Sequence, residues 1–156
     1  MKVLIVFDSQ FGNTEKIARA IGEGFSENDK VKVVRVSEAK ELGGVDVLIA
    51  GSPTQGGRPT ERLRDFLNRI PENGLKGISV AAFDTRILEK DQNFALSMLM
   101  KTIGYAAEKI SKMLESKGGK LVAQPEGFIV KGKEGPLAED ELERAKDWAK
   151  QVIKVE

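Results

Sequence analysis

The chain has 156 residues, of which 40% are hydrophobic and 31% charged, a balance that suits one soluble domain of ordinary size. Lys and Arg number 25 against 24 Asp and Glu, and a net charge of +1 lacks the basic excess of a nucleic-acid or membrane-surface binder. With no Cys and no His, disulfides, thiol nucleophiles, cysteine-ligated metals and imidazole acid–base chemistry are excluded, so an organic cofactor is expected to supply any chemistry.

Val3 to Phe7 is a continuous apolar run, as expected of a strand buried on both faces. No basic-then-apolar leader precedes it, and no apolar stretch approaches the ~20 residues of a membrane span. A cytoplasmic protein without a membrane role is the expectation. Ile17, Ile21 and Phe25 recur every fourth residue, the stripe of an amphipathic helix. Val31 to Val36 and Val45 to Ala50 read as the second and third strands. Leu63, Phe66, Leu67 and Ile70 mark the next helix, and Ile78 to Phe83 the fourth strand. Leu88 to Thr102 is a long insertion whose apolar residues suggest an extra short helix that packs down or borders a ligand. A helical stripe follows at Ile103, Ala107, Ile110 and Leu114.

The fifth strand is expected within Leu121 to Val130, interrupted at Gln124-Pro125-Glu126 because proline cannot donate a ladder hydrogen bond. The last helix carries Leu142, Ala145, Ala149, Val152 and Ile153, with acidic residues at its start and lysines at its end, as the helix dipole favours. The alternation predicts one domain over residues 1–156: an α/β protein with a three-layer, doubly wound, five-stranded parallel sheet.

In such sheets ligands bind beyond the carboxyl ends of the strands, where the strand order reverses. The segment Ser9-Gln10-Phe11-Gly12-Asn13-Thr14 follows the first strand and runs directly into a helix. It offers hydroxyls, an amide and backbone N–H groups, with no cation before Lys16, so it suits an anion held by neutral donors. No Lys-Ser or Lys-Thr follows a glycine-rich turn, and Gly22 and Gly24 lie at a helix end. The P-loop and dinucleotide fingerprints therefore both fail.

The run from Ile5 to Ile21, IVFDSQFGNTEKIARAI, resembles the flavodoxin signature over 17 residues, and the order of elements agrees along the whole chain. The resemblance implies a flavodoxin-like fold with strand order 2-1-3-4-5 and non-covalently bound FMN. By position, Ser9 and Thr14 would give hydroxyls to the phosphate, and Gln10, Phe11, Gly12 and Asn13 mainly backbone N–H groups. The loop with Pro53, Thr54, Gln55, Gly56, Gly57 and Arg58 resembles the family's first flavin-contacting loop, and Asp84, Thr85 and Arg86 fall at the second. Neither loop carries Trp or Tyr; Tyr105 is the aromatic expected to reach the ring, whereas Trp148 is expected to pack. Arg58 and Arg86 are expected to raise the flavin potential electrostatically.

The resemblance implies electron transfer to a redox partner protein or a small-molecule acceptor, with the oligomeric state left open. Two alternatives stand beside it: an FMN-dependent NAD(P)H:quinone-type reductase, and a flavin-free interaction module of the same fold. A phosphorylated receiver domain is set aside, because the third strand ends in Ala50-Gly51-Ser52 with no acceptor aspartate.

Overall fold

The structure is a computed structural model that describes residues 1–40, 42–87 and 104–154. Its elements in chain order are β1 (Lys2–Phe7), α1 (Asn13–Glu23), β2 (Lys30–Arg35), a 3-10 turn (Val36–Glu38), β3 (Val47–Pro53), α2 (Glu61–Arg69), β4 (Ser79–Arg86), α3 (Ala106–Ser116), β5 (Lys120–Leu121), β6 (Glu126–Ile129) and α4 (Glu141–Lys154). The expected insertion from Leu88 to Thr102 lies outside the described residues.

The sheet runs β2-β1-β3-β4-β5, and every pairing among these strands is parallel. The expected strand order is present, with the fifth position divided. Pro125 separates β5, which pairs with the start of β4, from β6, which pairs with its end. Among the described residues the sheet therefore has six strands rather than five, for the reason the proline supplies.

Strand alternation divides the apolar residues between two cores. Val3, Ile5 and Phe7 face α1 and α4, meeting Ile17, Ile21, Trp148 and Val152. Leu4 and Val6 face α2 and α3, meeting Leu63, Leu67, Ile110 and Leu114. Each leucine buried there contributes about 1.5–3 kcal/mol. Trp148 packs as expected, edge-on to Phe83 and Phe128, and its Nε1 donates to the Gln124 carbonyl at 3.1 Å. Among the described residues two helices cover each face, and the loops after β1, β3 and β4 leave from the carboxyl edge of the sheet.

β3 and β4 both run further than their apolar patterns predict. β3 includes Gly51, Ser52 and Pro53, and β4 includes Asp84, Thr85 and Arg86, with Ser52 opposite Asp84 and Pro53 opposite Thr85. These polar residues belong to strands because β6 pairs with β4 at this end and extends the ladder to Arg86. Alternation then sends Asp84 and Arg86 to the α3 side and Thr85 to the α1 side.

Candidate functional site

A cavity of about 430 Å³ opens at the carboxyl edge of the sheet, within the size range of cofactor sites. Three of its walls are the expected segments: Ser9, Gln10, Phe11, Asn13 and Thr14; Pro53, Thr54 and Gln55; and Thr85 with Arg86. Ile87, Val130, Gly132 and Lys133 complete it. A larger cavity, about 580 Å³, lies near the amino ends of β1 and β2 among Lys2, Lys30 and Lys32. It brings together none of the expected residues and lies away from the strands' carboxyl ends, where such sheets bind ligands.

The first wall is an open helix end. Gly12 stands at the N-cap of α1 with φ +92°, a left-handed conformation that a residue with a Cβ rarely adopts, and no side chain caps the helix there. Ser9 Oγ accepts the Gly12 N–H at 3.0 Å and the Glu15 N–H at 3.4 Å. The N–H groups of Gln10, Phe11, Asn13 and Thr14 meet no protein acceptor among the described residues. Four unpaired donors at the positive end of a helix dipole match an anion. Arg35 braces the loop from beneath, donating to the Ser9 carbonyl at 3.2 Å and to Glu15 at 2.9 Å.

Thr14 links this wall to β4. Its hydroxyl lies 2.8 Å from that of Thr85, with both side chains buried. Two hydroxyls carry two protons and their shared hydrogen bond uses one, so the pair keeps one donor for a ligand. Gln55 reaches across the cavity mouth and donates to the Gln10 side chain at 2.9 Å. Phe11 stands at the rim, 41% exposed.

The second wall turns on Gly56 and Gly57, at φ +58° and +79°, between Gln55 and Arg58, whose backbones exchange hydrogen bonds of 2.8 and 3.0 Å. Positive φ at both central positions is the two-residue hairpin turn that fits strand twist and that glycine favours. Lys109 of α3 donates to the Gly57 carbonyl. Gly56, Gly57 and Arg58 lie beyond the residues lining the cavity, and Arg58 is exposed.

Asp84 is fully buried and accepts from the Arg86 guanidinium twice, at 2.8 and 2.7 Å, and from the Ala107 N–H at 2.9 Å. Burial pushes its carboxyl above the usual range, and the hydrogen bonds from Arg86, Ala107 and the Thr54 hydroxyl only partly offset this. Burial alone would lower the Arg86 guanidinium, yet the paired carboxylate holds it above its ordinary value. The guanidinium also lies over the Tyr105 ring, 3.8 Å from its centroid, and Gly127 beneath it leaves no room for a Cβ. Asp84 and Tyr105 therefore face Arg86, with Arg86 alone of the three lining the cavity. Asp84 thus offsets the charge of Arg86, which weakens the basis for the expected electrostatic effect of Arg86 on the flavin potential.

Lys133, Gly132 and Val130 were not expected. They come from a hairpin between β6 and α4, closed by the Val130–Leu137 bridge and the Lys131 N–H donating to the Pro136 carbonyl at 2.8 Å. The sequence signal is the Gly132–Pro136 turn. Its place against Asn13, 121 residues away from Glu134, is a property of the fold.

The donor set fits a flavin mononucleotide: unpaired N–H groups and a free hydroxyl proton for a phosphate, and a cleft bordered by Pro53, Ile87 and Val130 for a flat ring. No helix among the described residues is long and apolar enough to cross a membrane, and no group of three or more metal-ligating side chains occurs among them. In solved structures the fold recurs in a flavodoxin from the domain Archaea, 22% identical, with 99% of each chain covered and a TM-score of 0.78. Flavodoxin 1 from Bacillus cereus is 20% identical over 99% of this chain and 98% of its own, with a TM-score of 0.70. Rubredoxin oxygen:oxidoreductase from Desulfovibrio gigas matches 98% of this chain with 35% of its own, at 22% identity and a TM-score of 0.73. Those likenesses concern the fold; the flavodoxin family model matches residues 5–148 of the sequence itself. The chain belongs to the flavodoxin family, whose members bind FMN and transfer electrons.

Proposed function

We propose that this protein carries electrons between partner proteins on FMN seated in the carboxyl-edge cavity, with the phosphate on residues 9–14. The four unpaired N–H groups at the start of α1 carry this reading. The flavin, when bound, supplies reversible electron transfer. The residues of the chain bind and orient it. Gln10, Phe11, Asn13 and Thr14 present backbone N–H groups to the phosphate, and the Thr14–Thr85 pair presents a hydroxyl. Pro53, Thr54, Gln55, Thr85, Arg86 and Ile87 line the cavity and would border the ring. Arg86, neutralised by Asp84, brings hydrogen-bonding capacity to the cavity with little net charge. Exposed Phe11 at the rim offers an apolar foothold for a docking protein.

Titration of the purified protein with FMN and with riboflavin, read by quenching of flavin fluorescence, tests the phosphate placement. FMN should bind far more tightly; equal affinities would overturn it. Adding NADPH or NADH without a reductase should leave the flavin absorbance unchanged. Bleaching with turnover on a quinone would replace the carrier by a reductase.

A further inference from the structure

We propose that Lys133 is the counter-charge to the flavin phosphate, a specificity-determining residue that adds a salt-sensitive preference for phosphorylated over unphosphorylated flavin. The inference rests on the phosphate placement given above.

The phosphate loop itself supplies only neutral donors, and its surroundings are already spoken for electrically. Asp8, buried just before the loop, uses its carboxylate to accept the Ser9 N–H at 2.9 Å. Glu15 in the first turn of α1 is paired with both Arg19 and Arg35. A phosphate placed here brings negative charge close to the Asp8 carboxylate, and a helix end offers only about half a unit of positive charge. Among the described residues, two cationic side chains line the cavity. Arg86 is bound to Asp84, whereas Lys133 makes no ion pair with a described carboxylate.

The hairpin holding Lys133 is fastened to the phosphate loop. Asn13 Nδ2 donates to the Glu134 carbonyl at 3.2 Å. Gly135 approaches so closely that a Cβ there would come within 2.9 Å of Asn13 Oδ1. The residue beside Lys133 is thus anchored to a residue whose own N–H is one of the four open donors. The flexible lysine stem lets the ammonium reach the phosphate while its backbone stays fixed. An exposed ammonium acts through a partly screened field, so its contribution should fade with ionic strength, unlike that of the backbone donors.

Fluorescence titrations with FMN and riboflavin, at low salt and near 1 M salt, decide the matter for wild type, Lys133→Gln, Lys133→Arg and Lys131→Gln. Lys131 is an exposed neighbour outside the cavity lining and controls for general surface charge. Lys133→Gln should weaken FMN about two- to fivefold at low salt, an effect that should nearly vanish at high salt. Riboflavin binding should not change, Lys133→Arg should restore FMN affinity, and Lys131→Gln should match wild type. Unchanged FMN affinity in Lys133→Gln at low salt, or an equal loss in Lys131→Gln, would overturn the counter-charge. Wild type binding riboflavin as tightly as FMN would instead overturn the phosphate placement, and Lys133 with it.

Discussion

Two helices begin at the same edge of the sheet and settle their first N–H groups in opposite ways. At α3, Thr54 Oγ1 accepts the Ala106 N–H at 3.0 Å and Asp84 the Ala107 N–H at 2.9 Å, so acceptors of the chain close the helix end. At α1 the cap is Gly12, which has no side chain to offer; Ser9 Oγ accepts only the Glu15 N–H of the first turn, and among the described residues the N–H groups of Asn13 and Thr14, like those of Gln10 and Phe11 just before them, meet no acceptor. The carboxylate buried at α3 does within the protein what the proposed phosphate would do at α1. An anion site in this fold is thus a helix end that the sequence leaves uncapped. The adjacent capped end shows how an internal acceptor removes such a site.

The largest effect should come from breaking the closed end. Arg86→Met leaves the fully buried Asp84 carboxylate without its cation, which should cost about 3–5 kcal/mol near neutral pH. The folded state already holds the Asp84 carboxyl above the ordinary aspartate range, and losing Arg86 should raise it further. A raised carboxyl favours the protonated fold, so this stability is fully present below about pH 3.8 and drains as pH rises through the folded value. Urea unfolding of Arg86→Met should therefore show a smaller deficit against wild type at pH 4.5 than at pH 7.5. A deficit independent of pH would show that packing on Tyr105, and not charge, holds the pair.

An intermediate effect should fall on the open end and appear in binding, with little change in folding. Thr14→Val keeps the shape of the buried side chain and deletes the hydroxyl shared with Thr85. FMN affinity should fall by about 1.5–3 kcal/mol, the range for a hydrogen bond to a charged group, while riboflavin affinity stays constant. Parallel losses for both ligands would move the phosphate away from this helix.

The smallest effect should come from partly opening the closed end. Thr54→Val removes the acceptor of the Ala106 N–H and should cost about 1 kcal/mol in thermal or chemical unfolding, as lost caps do. No new phosphate affinity should appear there, because Asp84 keeps the next N–H. Phosphate-dependent stabilisation of Thr54→Val beyond that of wild type would contradict the equivalence of carboxylate and ligand.

Much of this contrast was readable along the chain, in unequal measure. The loop at α1 was clear because its donors, glycine and helix are contiguous from Ser9 to Ile21, so local rules suffice. The doubly wound parallel sheet followed from the alternation of elements, and its strand order from the family resemblance. Asp84 and Arg86 were harder. Treated as loop residues they look independent, but two residues apart on a strand they share a face, and that face meets Tyr105 and Ala107. Extending β4 by three residues turns a stray arginine into half of an ion pair. Lys133 was beyond reach, because Lys131 to Pro136 reads as an ordinary surface turn until Asn13 draws it to the cavity.

The arginine at position 86 lies between an aromatic ring and a glycine, and that sandwich governs how the sequence can drift. A side chain at 127 would occupy the space of the guanidinium, and loss of the guanidinium would strand the carboxylate at 84. Once that carboxylate has gone, the amide of Ala107 needs another acceptor and the ring of Tyr105 loses its cover. Substitutions at positions 84, 86, 105 and 127 are therefore expected to be coupled. Chimeras whose junction falls between 86 and 105 should lose stability unless both parents carry the same residues at these positions.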